Sequence, residues 1–248
     1  MPSTHIEPPP QPTVAPHQGH GTARLDAFIG QRQGKATWQV QARPAYHDIH
    51  DVEAGYQRGA GIQFLRIEFS QTAGEHIKLE RMNFVDITSL TPYESLLGSK
   101  SWRVRASIAR LDAQKEADRK AMAARRLFWD ISGGPGRAIE LKADRTAIAY
   151  ALIDNQAWID WRNPTQGASI GTGLALGLVL DSENRRLRLI PEIYAHRYVG
   201  ALSADYGGKL DARFSLDKAH NLKLQCDWKS YRSQHIDKSC LLGLQRYW

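Results

Sequence analysis

The sequence predicts an all-β protein, an antiparallel up-and-down β-barrel of about twelve strands and of the outer-membrane type, and the alternation of polar and apolar side chains is what indicates the barrel. From about residue 21 onward the pattern has period two, as in strands whose side chains point alternately to opposite faces. One run reaches about fifteen residues, whereas strands of soluble proteins average about five or six. Short segments of turn-like composition separate the runs, as expected for strands joined by hairpins.

Two runs show the pattern most clearly. In 202–216 the two faces are Leu202, Ala204, Tyr206, Gly208, Leu210, Ala212, Phe214 and Leu216 against Ser203, Asp205, Gly207, Lys209, Asp211, Arg213 and Ser215. The run 168–180 instead opposes an aliphatic face to a face of small residues, which are Ser169, Gly171, Gly173, Ala175, Gly177 and Val179. Each of these strands therefore has one apolar face and one that is polar or small.

The number of strands follows from where the runs begin. Thirteen candidates start near residues 21, 35, 60, 75, 100, 123, 137, 146, 168, 185, 201, 220 and 237. We treat the weakest, 137–142, as the continuation of the strand before it, which leaves twelve. An even number is expected of a bacterial single-chain barrel. Of the longer connections, 112–126 is charged and rich in Ala, and this composition suits a short helix or a solvated loop.

The chain divides into a Pro-rich linker, residues 1–20, and a single barrel domain, residues 21–248. No signal peptide and no run of about twenty apolar residues is recognisable. The formal net charge is +7, but the basic residues are dispersed over alternating positions. They therefore predict solvated strand faces, and no nucleic-acid partner is expected.

Alternation alone does not decide between a membrane barrel and a soluble one. A membrane barrel has a polar lumen and an apolar exterior, and a soluble barrel has the reverse. The seven Trp residues suit interfacial belts. The chain also ends in Tyr247-Trp248, and an aromatic C-terminus is typical of outer-membrane barrels, although Phe is the usual residue. Arg246 departs from that pattern, because it occupies a place that is usually apolar.

The stretch RPAYHDIHD, residues 43–51, contains two His-Asp pairs. A metal site would use His47, Asp48, His50 and Asp51, but alternate residues of a strand face opposite ways. An HD-type phosphohydrolase needs its His-Asp pair on a helix, and this pattern is not helical. We favour a structural corner, in which Pro44 ends a strand and polar side chains bind the loop backbone. No metal or cofactor is predicted.

The same region resembles a known family. RPAYHD at 43–48 is followed by Gly55-Tyr56, Gly59-Ala60, LER at 79–81, DITSL at 86–90 and SWRVR at 101–105. These motifs resemble the C-terminal β-barrel-like domain of bacterial envelope proteins of unknown function that carry an Lnb-type N-terminal periplasmic domain. The motifs cover residues 40–106, and the remainder matches in pattern more than in residues.

The resemblance implies a β-barrel-like module of poorly known function, with the thiol chemistry proposed for such proteins located in the upstream domain. We expect this module to be a non-enzymatic anchor or scaffold that holds a periplasmic enzyme domain at the outer membrane. The resemblance also implies that 1–20 is the linker from the upstream domain and that this chain is a truncated or separated part. Residues 43–60 and 79–105 would form ordered periplasmic connections. The expected partners are outer-membrane lipid and the periplasmic enzyme domain. Our candidate residues for a structural or docking role are Arg43, Tyr46, His47, Asp48 and Tyr56.

Two other functions remain open. A barrel lipid hydrolase would need Ser, His and an acid on neighbouring strands, and His196 is placed to approach Ser203, with Asp205 on the same face as Ser203. No G-x-S-x-G motif supports it, and we expect no enzyme activity. The third function is a soluble envelope β-domain that binds a partner.

The last hairpin places the two cysteines, Cys226 and Cys240, opposite each other. An exported protein would allow them to be oxidised. Direct cross-strand bridges are geometrically awkward, however. We therefore favour two free thiols.

Overall fold

The computed structural model describes residues 21–49, 51, 58–93, 98–110, 127–142, 146–160, 168–200, 204–231 and 235–248. These residues form fourteen strands. The strands are β1 (Arg24–Arg32), β2 (Lys35–Arg43), β3 (Ala45–His47), β4 (Ala60–Thr72), β5 (Lys78–Ser89), β6 (Ser101–Arg110), β7 (Leu127–Glu140), β8 (Ala147–Ile153), β9 (Asn155–Asp160), β10 (Ala168–Asp181), β11 (Leu187–Gly200), β12 (Ala204–Ser215), β13 (His220–Tyr231) and β14 (His235–Tyr247). Within the described ranges, no helix is long and apolar enough to cross a membrane.

The strands close into one antiparallel barrel, because β1 pairs with both β2 and β14. Two pairs of elements each act as one barrel strand. β2 and β3 both pair with β4, and Pro44, which lacks an N–H donor, lies between them. β8 and β9 both pair with β7 and with β10 and are separated by Asp154. The twelve-stranded barrel predicted from the sequence is therefore confirmed, and 137–140 does continue β7.

The barrel has a polar lumen and an apolar exterior. In β12, Asp205, Asp211 and Arg213 are buried in the lumen, whereas the alternate residues Tyr206 and Phe214 are exposed. The same division holds around the wall: exposed apolar residues include Ile29, Val104, Ile170, Leu174, Ile193, Val199 and Leu242, and buried polar residues include Arg24, Gln41, Arg103, Asp130, Glu192 and Lys223. A soluble barrel would bury the first set. The arrangement is that of outer-membrane β-barrels.

The small-residue face of β10 points into the lumen. A Cβ atom added at Gly171, Gly173 or Gly177 would collide with the rings of Tyr198, His196 or Tyr150, respectively. The small residues therefore leave space for large polar side chains of the neighbouring strands β8 and β11. The opposite face carries Ile170, Leu174 and Leu176, all exposed on the exterior.

The two ends of the barrel differ. β1 begins and β14 ends at the same edge, where Arg24 pairs with Tyr247; we call this the termini end. The other edge, the far end, contains the β1–β2 turn, in which Gln33 and Gly34 have φ values of 54° and 72°. Positive φ at both central residues is the type I′ geometry that suits the twist of a hairpin.

Exterior aromatic residues lie near both ends. Near the far end they include Trp38, Trp129, Tyr206 and Trp228, and near the termini end they include Trp102, Phe214 and Trp248. Tyr206 and Phe214 lie on β12, and the eight steps between them span about 27 Å of strand at ~3.4 Å per residue. A tilt of about 40° reduces this to about 20 Å along the barrel axis, close to the ~25 Å apolar band of outer-membrane barrels.

An apolar plug fills the lumen at the termini end. Leu90, from the β5–β6 connection, packs with Ile49, from the β3–β4 connection, against the inner wall. The wall residues of this cluster are Ala138, Ile148, Tyr150, Leu152, Ala175, Val179, Ile190 and Tyr194. The backbone N–H of Leu90 also donates to the carbonyl of Gly59 at 2.8 Å. Both connections therefore contribute to closing this end.

Three expectations need comment. Cys226 and Cys240 form a disulfide between directly opposed residues of β13 and β14, so the free thiols that we favoured are wrong. The segment 79–105 is not a single connection, because most of it belongs to β5 and β6 and only 90–100 joins them. The linker 1–20 and the segment 111–126, which holds most of the charged connection, lie outside the described residues.

Candidate functional site: the lumen

The stretch RPAYHDIHD folds into the lumen at the termini end. Asp51 is 0% exposed, and its carboxylate is contacted by three side chains. Oδ1 accepts hydrogen bonds from Arg24 Nη1 at 2.7 Å and from the Tyr247 hydroxyl at 2.6 Å. Arg43 Nη2 lies 2.8 Å from Oδ2. We call these four residues, with Asp48, the Asp51 cluster; it joins β1, β2 and β14 to the loop.

Hydrogen bonds to the backbone of Asp48, Ile49 and Asp51 also hold the loop in place. The backbone N–H of Asp51 donates to the carbonyl of Asp48 at 2.8 Å, and the N–H of Asp48 donates to Asp51 Oδ2 at 2.7 Å. From the opposite wall, Arg188 Nη1 donates to the carbonyls of Ile49 at 2.7 Å and Asp51 at 3.3 Å. Side chains bound to loop backbone are what a structural corner requires.

The predicted site residues divide into three groups. Arg43, His47 and Asp48 are buried at this corner, where Asp48 Oδ2 lies 3.5 Å from Arg24 Nη1 and His47 Nδ1 lies 3.9 Å from Asp51 Oδ2. Tyr46 belongs to β3, but its side chain lies outside the described part of the structure. Tyr56 lies outside the described residues altogether.

The candidate residues did not include three members of the Asp51 cluster: Asp51 itself, which was considered only as a metal ligand, and Arg24 and Tyr247. Arg24 and Tyr247 occupy lumen-facing positions of alternating strands, and that alternation was the available signal. Nothing in the sequence shows which lumen-facing charges meet across the barrel. No group of three or more His, Cys, Asp or Glu side chains in the described ranges is arranged to hold a metal ion.

Three other motifs of the family resemblance contribute side chains to the lumen. Asp86 of DITSL accepts a hydrogen bond from Arg105 Nε of SWRVR at 3.1 Å. Arg81 of LER lies 2.7 Å from Asp130 Oδ2. DITSL and SWRVR are therefore joined by an ion pair between the neighbouring strands β5 and β6, and Arg81 of β5 reaches past β6 to Asp130 of β7.

A second polar network crosses the middle of the lumen. Arg103 of β6 reaches Glu192 of β11 through Nη1 at 2.8 Å and Asp154 through Nη2 at 3.0 Å. Glu192 also accepts a hydrogen bond from the Tyr150 hydroxyl at 2.7 Å and lies 3.1 Å from Lys209 Nζ. Apart from the cross-strand pair Glu192–Lys209, these contacts connect non-adjacent strands, so they act as struts across the barrel.

The histidine of the hydrolase hypothesis belongs to this network. His196 Nδ1 is 2.8 Å from Asp205 Oδ1, and Nε2 is 3.3 Å from Asp154 Oδ2. Asp205 also accepts a hydrogen bond from the Tyr198 hydroxyl at 3.1 Å. Both imidazole nitrogens therefore face carboxylates, which leaves neither for taking a proton from a nucleophile. Ser203 lies outside the described residues.

A polar cavity of about 280 Å³ lies between the plug and the far end. Ile49, Leu90 and Leu152 line it on the plug side, and Arg32 and Ser239 line it toward the far end. Seven Arg or Lys and six Asp or Glu side chains contribute to its lining. The cavity is therefore strongly charged but nearly balanced.

The fold is similar to solved barrel structures. These include the NanC porin (8% identity, TM-score 0.48, 90% of this chain and 100% of that chain), the KdgM porin (9%, 0.47, 91% and 99%) and LpxR from Salmonella typhimurium (10%, 0.47, 92% and 100%). No curated protein sequence matches. A family model described as "Domain of unknown function (DUF7840)" matches residues 13–247.

Proposed function

We propose that this chain, which belongs to the DUF7840 family of domains of unknown function, is a non-enzymatic outer-membrane β-barrel that anchors or scaffolds a periplasmic enzyme domain. The proposal starts from the closed twelve-stranded barrel. Its apolar exterior, polar lumen and two aromatic belts suit insertion into lipid. The disulfide between Cys226 and Cys240 suits an oxidising compartment such as the periplasm.

The plug at the termini end is the observation that carries the scaffold role. Ile49 and Leu90 fill the lumen there, and the Asp51 cluster fixes the first of these connections in place. A barrel through which solutes diffuse freely has an aqueous lumen. In this barrel, ion pairs cross the lumen and the plug fills one end. A barrel whose wall is cross-linked by ion pairs through the lumen, and whose termini end is filled, is suited to support another domain.

The termini end is the side on which that domain would sit. Both ends of the barrel domain lie at this edge, since Arg24 pairs with Tyr247, so an upstream domain joined through the linker emerges here. Arg43, His47 and Asp48 are buried and are therefore out of reach of a partner surface. We propose that they act structurally, by fixing the shape of the connection that the partner meets.

Membrane insertion is tested by expressing the chain behind an added signal peptide. We expect a detergent-dependent protein in the outer-membrane fraction that migrates faster in unboiled than in boiled gel samples. A soluble periplasmic protein without this shift would overturn the proposal and favour the soluble partner-binding domain.

The lipid-hydrolase alternative is tested on the same preparation, with phospholipid and lipid A as substrates. Acyl release that is lost in His196→Ala would overturn the non-enzymatic role.

The side of partner contact is tested by site-specific photo-crosslinking in cells. Lys142 and Lys218 are exposed at the termini end, and Lys35 is exposed at the far end. We expect a photo-crosslinking residue at 142 or 218 to capture a periplasmic protein, and the same residue at 35 to capture none. Equal capture at both ends, or capture only at 35, would contradict the proposed orientation.

A further inference from the structure

The polar cavity contains one side chain with unused hydrogen-bond donors. Arg105 is 24% exposed, lines the cavity and bonds to Asp86 through Nε. Within the described residues, its two terminal nitrogens have no protein partner. The end of the guanidinium group is thus free to donate two parallel hydrogen bonds to an oxyanion, the geometry in which Arg binds carboxylate or phosphate.

The opposite wall contains an acid with unused acceptors. Asp227 lines the same cavity and is exposed to it. It forms no ion pair or hydrogen bond in the described part of the chain, although Lys209 is its cross-strand neighbour. Lys209 is instead 3.1 Å from Glu192. A carboxylate in this situation is suited to accept hydrogen bonds from an ammonium group.

The two residues lie on opposite sides of the barrel wall. Arg105 lies on β6 and Asp227 on β13, and six strand-to-strand steps separate these strands in either direction around the twelve-stranded wall. The lining as a whole carries seven cationic and six anionic side chains, so a solute with a large net charge gains little. The complementary solute carries one oxyanion and one ammonium group and has almost no net charge.

We propose that the lumen cavity is a binding site for a small zwitterion, whose oxyanion binds the terminal nitrogens of Arg105 and whose ammonium group binds Asp227. The oxyanion is a carboxylate or a phosphate, since both fit the same pair of donors. The apolar plug beneath the cavity keeps the solute on the far-end side.

The proposal is tested on the full chain, purified in detergent, by titration calorimetry with three probes of similar size. Glycylglycine carries both charges, N-acetylglycine only the carboxylate and glycinamide only the ammonium group. We expect glycylglycine to bind at least about tenfold more tightly than either singly charged probe, because each lacks one of the two charge-assisted contacts. Glycerophosphoethanolamine, whose phosphodiester carries a single negative charge, serves as the phosphate-bearing zwitterion and shows which oxyanion is preferred.

Two variants locate the site. Arg105→Gln should weaken glycylglycine binding about tenfold or more, and Asp227→Asn should remove the preference for glycylglycine over N-acetylglycine. The matched controls are Arg197→Gln on the exterior and Asp217→Asn in an exposed turn, and neither should change binding. Heat-modifiability of each variant confirms that the barrel is folded.

Every result then bears on the proposal. No binding of any zwitterion by the folded wild-type protein would overturn it. Equal binding of glycylglycine and N-acetylglycine, unaffected by Asp227→Asn, would reduce the site to an anion site and would also overturn it. Since the anchor role is tested by fractionation and photo-crosslinking, these outcomes leave it unaffected.

Discussion

Asp51 is the residue on which the termini-end corner depends. Its carboxylate is fully buried and faces two guanidinium groups and a hydroxyl. Asp51→Asn keeps the shape but removes the charge, which leaves Arg43 without its described ion-pair partner and, among the described residues, leaves Arg24 with only Asp26 and Asp48. Because breaking a buried ion pair typically costs about 3–5 kcal/mol, we expect a loss of this order in the free energy of unfolding.

The measurement is urea unfolding of the two proteins in detergent micelles, followed by tryptophan fluorescence. Asp217→Asn is the control, since Asp217 lies in an exposed turn, and it should unfold like the wild type. An Asp51→Asn protein as stable as the wild type would show that the Asp51 cluster does not hold the corner.

For single residues, the sequence identifies the members of a local motif better than it identifies their contact partners elsewhere in the chain. Asp48 and Arg43 were identified because they lie within one local motif. Tyr247 and Arg24 were not, because their contacts with Asp51 span 196 and 27 residues of chain. Such pairs depend on how strands are arranged around the barrel, and side-chain periodicity does not contain that information.

The strand β10 shows how one element serves two environments. Gly177 faces the lumen, where an added Cβ would meet the Tyr150 hydroxyl. We expect Gly177→Val to destabilise the barrel by about 1–3 kcal/mol through overpacking. Thr172→Val, on the exterior face of the same strand, is the control and should be tolerated. In a double variant, Tyr150→Leu should recover part of the loss, because the two side chains compete for the same space; a purely additive result would contradict this explanation.

The exterior face of β10 gives a prediction that depends on depth. Leu174 lies in the middle of its strand and is 57% exposed. Leu174→Arg should cost about 2–4 kcal/mol in a bilayer, whereas Leu216→Arg, just past the end of β12, should cost about 0–1 kcal/mol. Chemical unfolding from lipid vesicles measures both. Equal costs at the two positions would indicate that this surface is not embedded in lipid.

Strand positions were largely predictable, because a strand that separates water from lipid must alternate along its whole length. The predicted starts near 60, 168 and 220 coincide with those of β4, β10 and β13. The state of the cysteines was not predictable in this way. Alternation placed Cys226 opposite Cys240, but facing positions alone do not show whether two thiols are bonded.

For the whole molecule, the sequence left open which face of the sheet points inward. Leu210 and Asp211 alternate equally well in a barrel with an apolar core and in one with a polar lumen. The choice depends on how many charges can find partners across the barrel. Arg103, with both Glu192 and Asp154, shows how charges in the lumen find partners across the barrel, and the many exposed apolar residues of the exterior, Val199 among them, suit an apolar solvent.

The filled lumen leads to a prediction about conduction. Ile49 and Leu90 occupy the termini end, and Arg103 crosses the lumen to Glu192 at 2.8 Å. We therefore expect the wild-type protein in a planar lipid bilayer to show no steady conductance of the size seen for open barrels. The double variant Ile49→Gly and Leu90→Gly removes the plug side chains and should conduct for a larger fraction of the time.

The control for this measurement is Leu176→Ala, which changes a side chain of similar size on the exterior and should leave the conductance at the wild-type level. A large, steady wild-type conductance would mean that solutes pass the plug, and the barrel would then be a channel as well as an anchor. If the double variant stays closed while it remains folded and heat-modifiable, closure depends on the Arg103 strut rather than on the plug. Arg103→Gln in the same bilayer separates these two causes, because it removes the strut and leaves Ile49 and Leu90 in place.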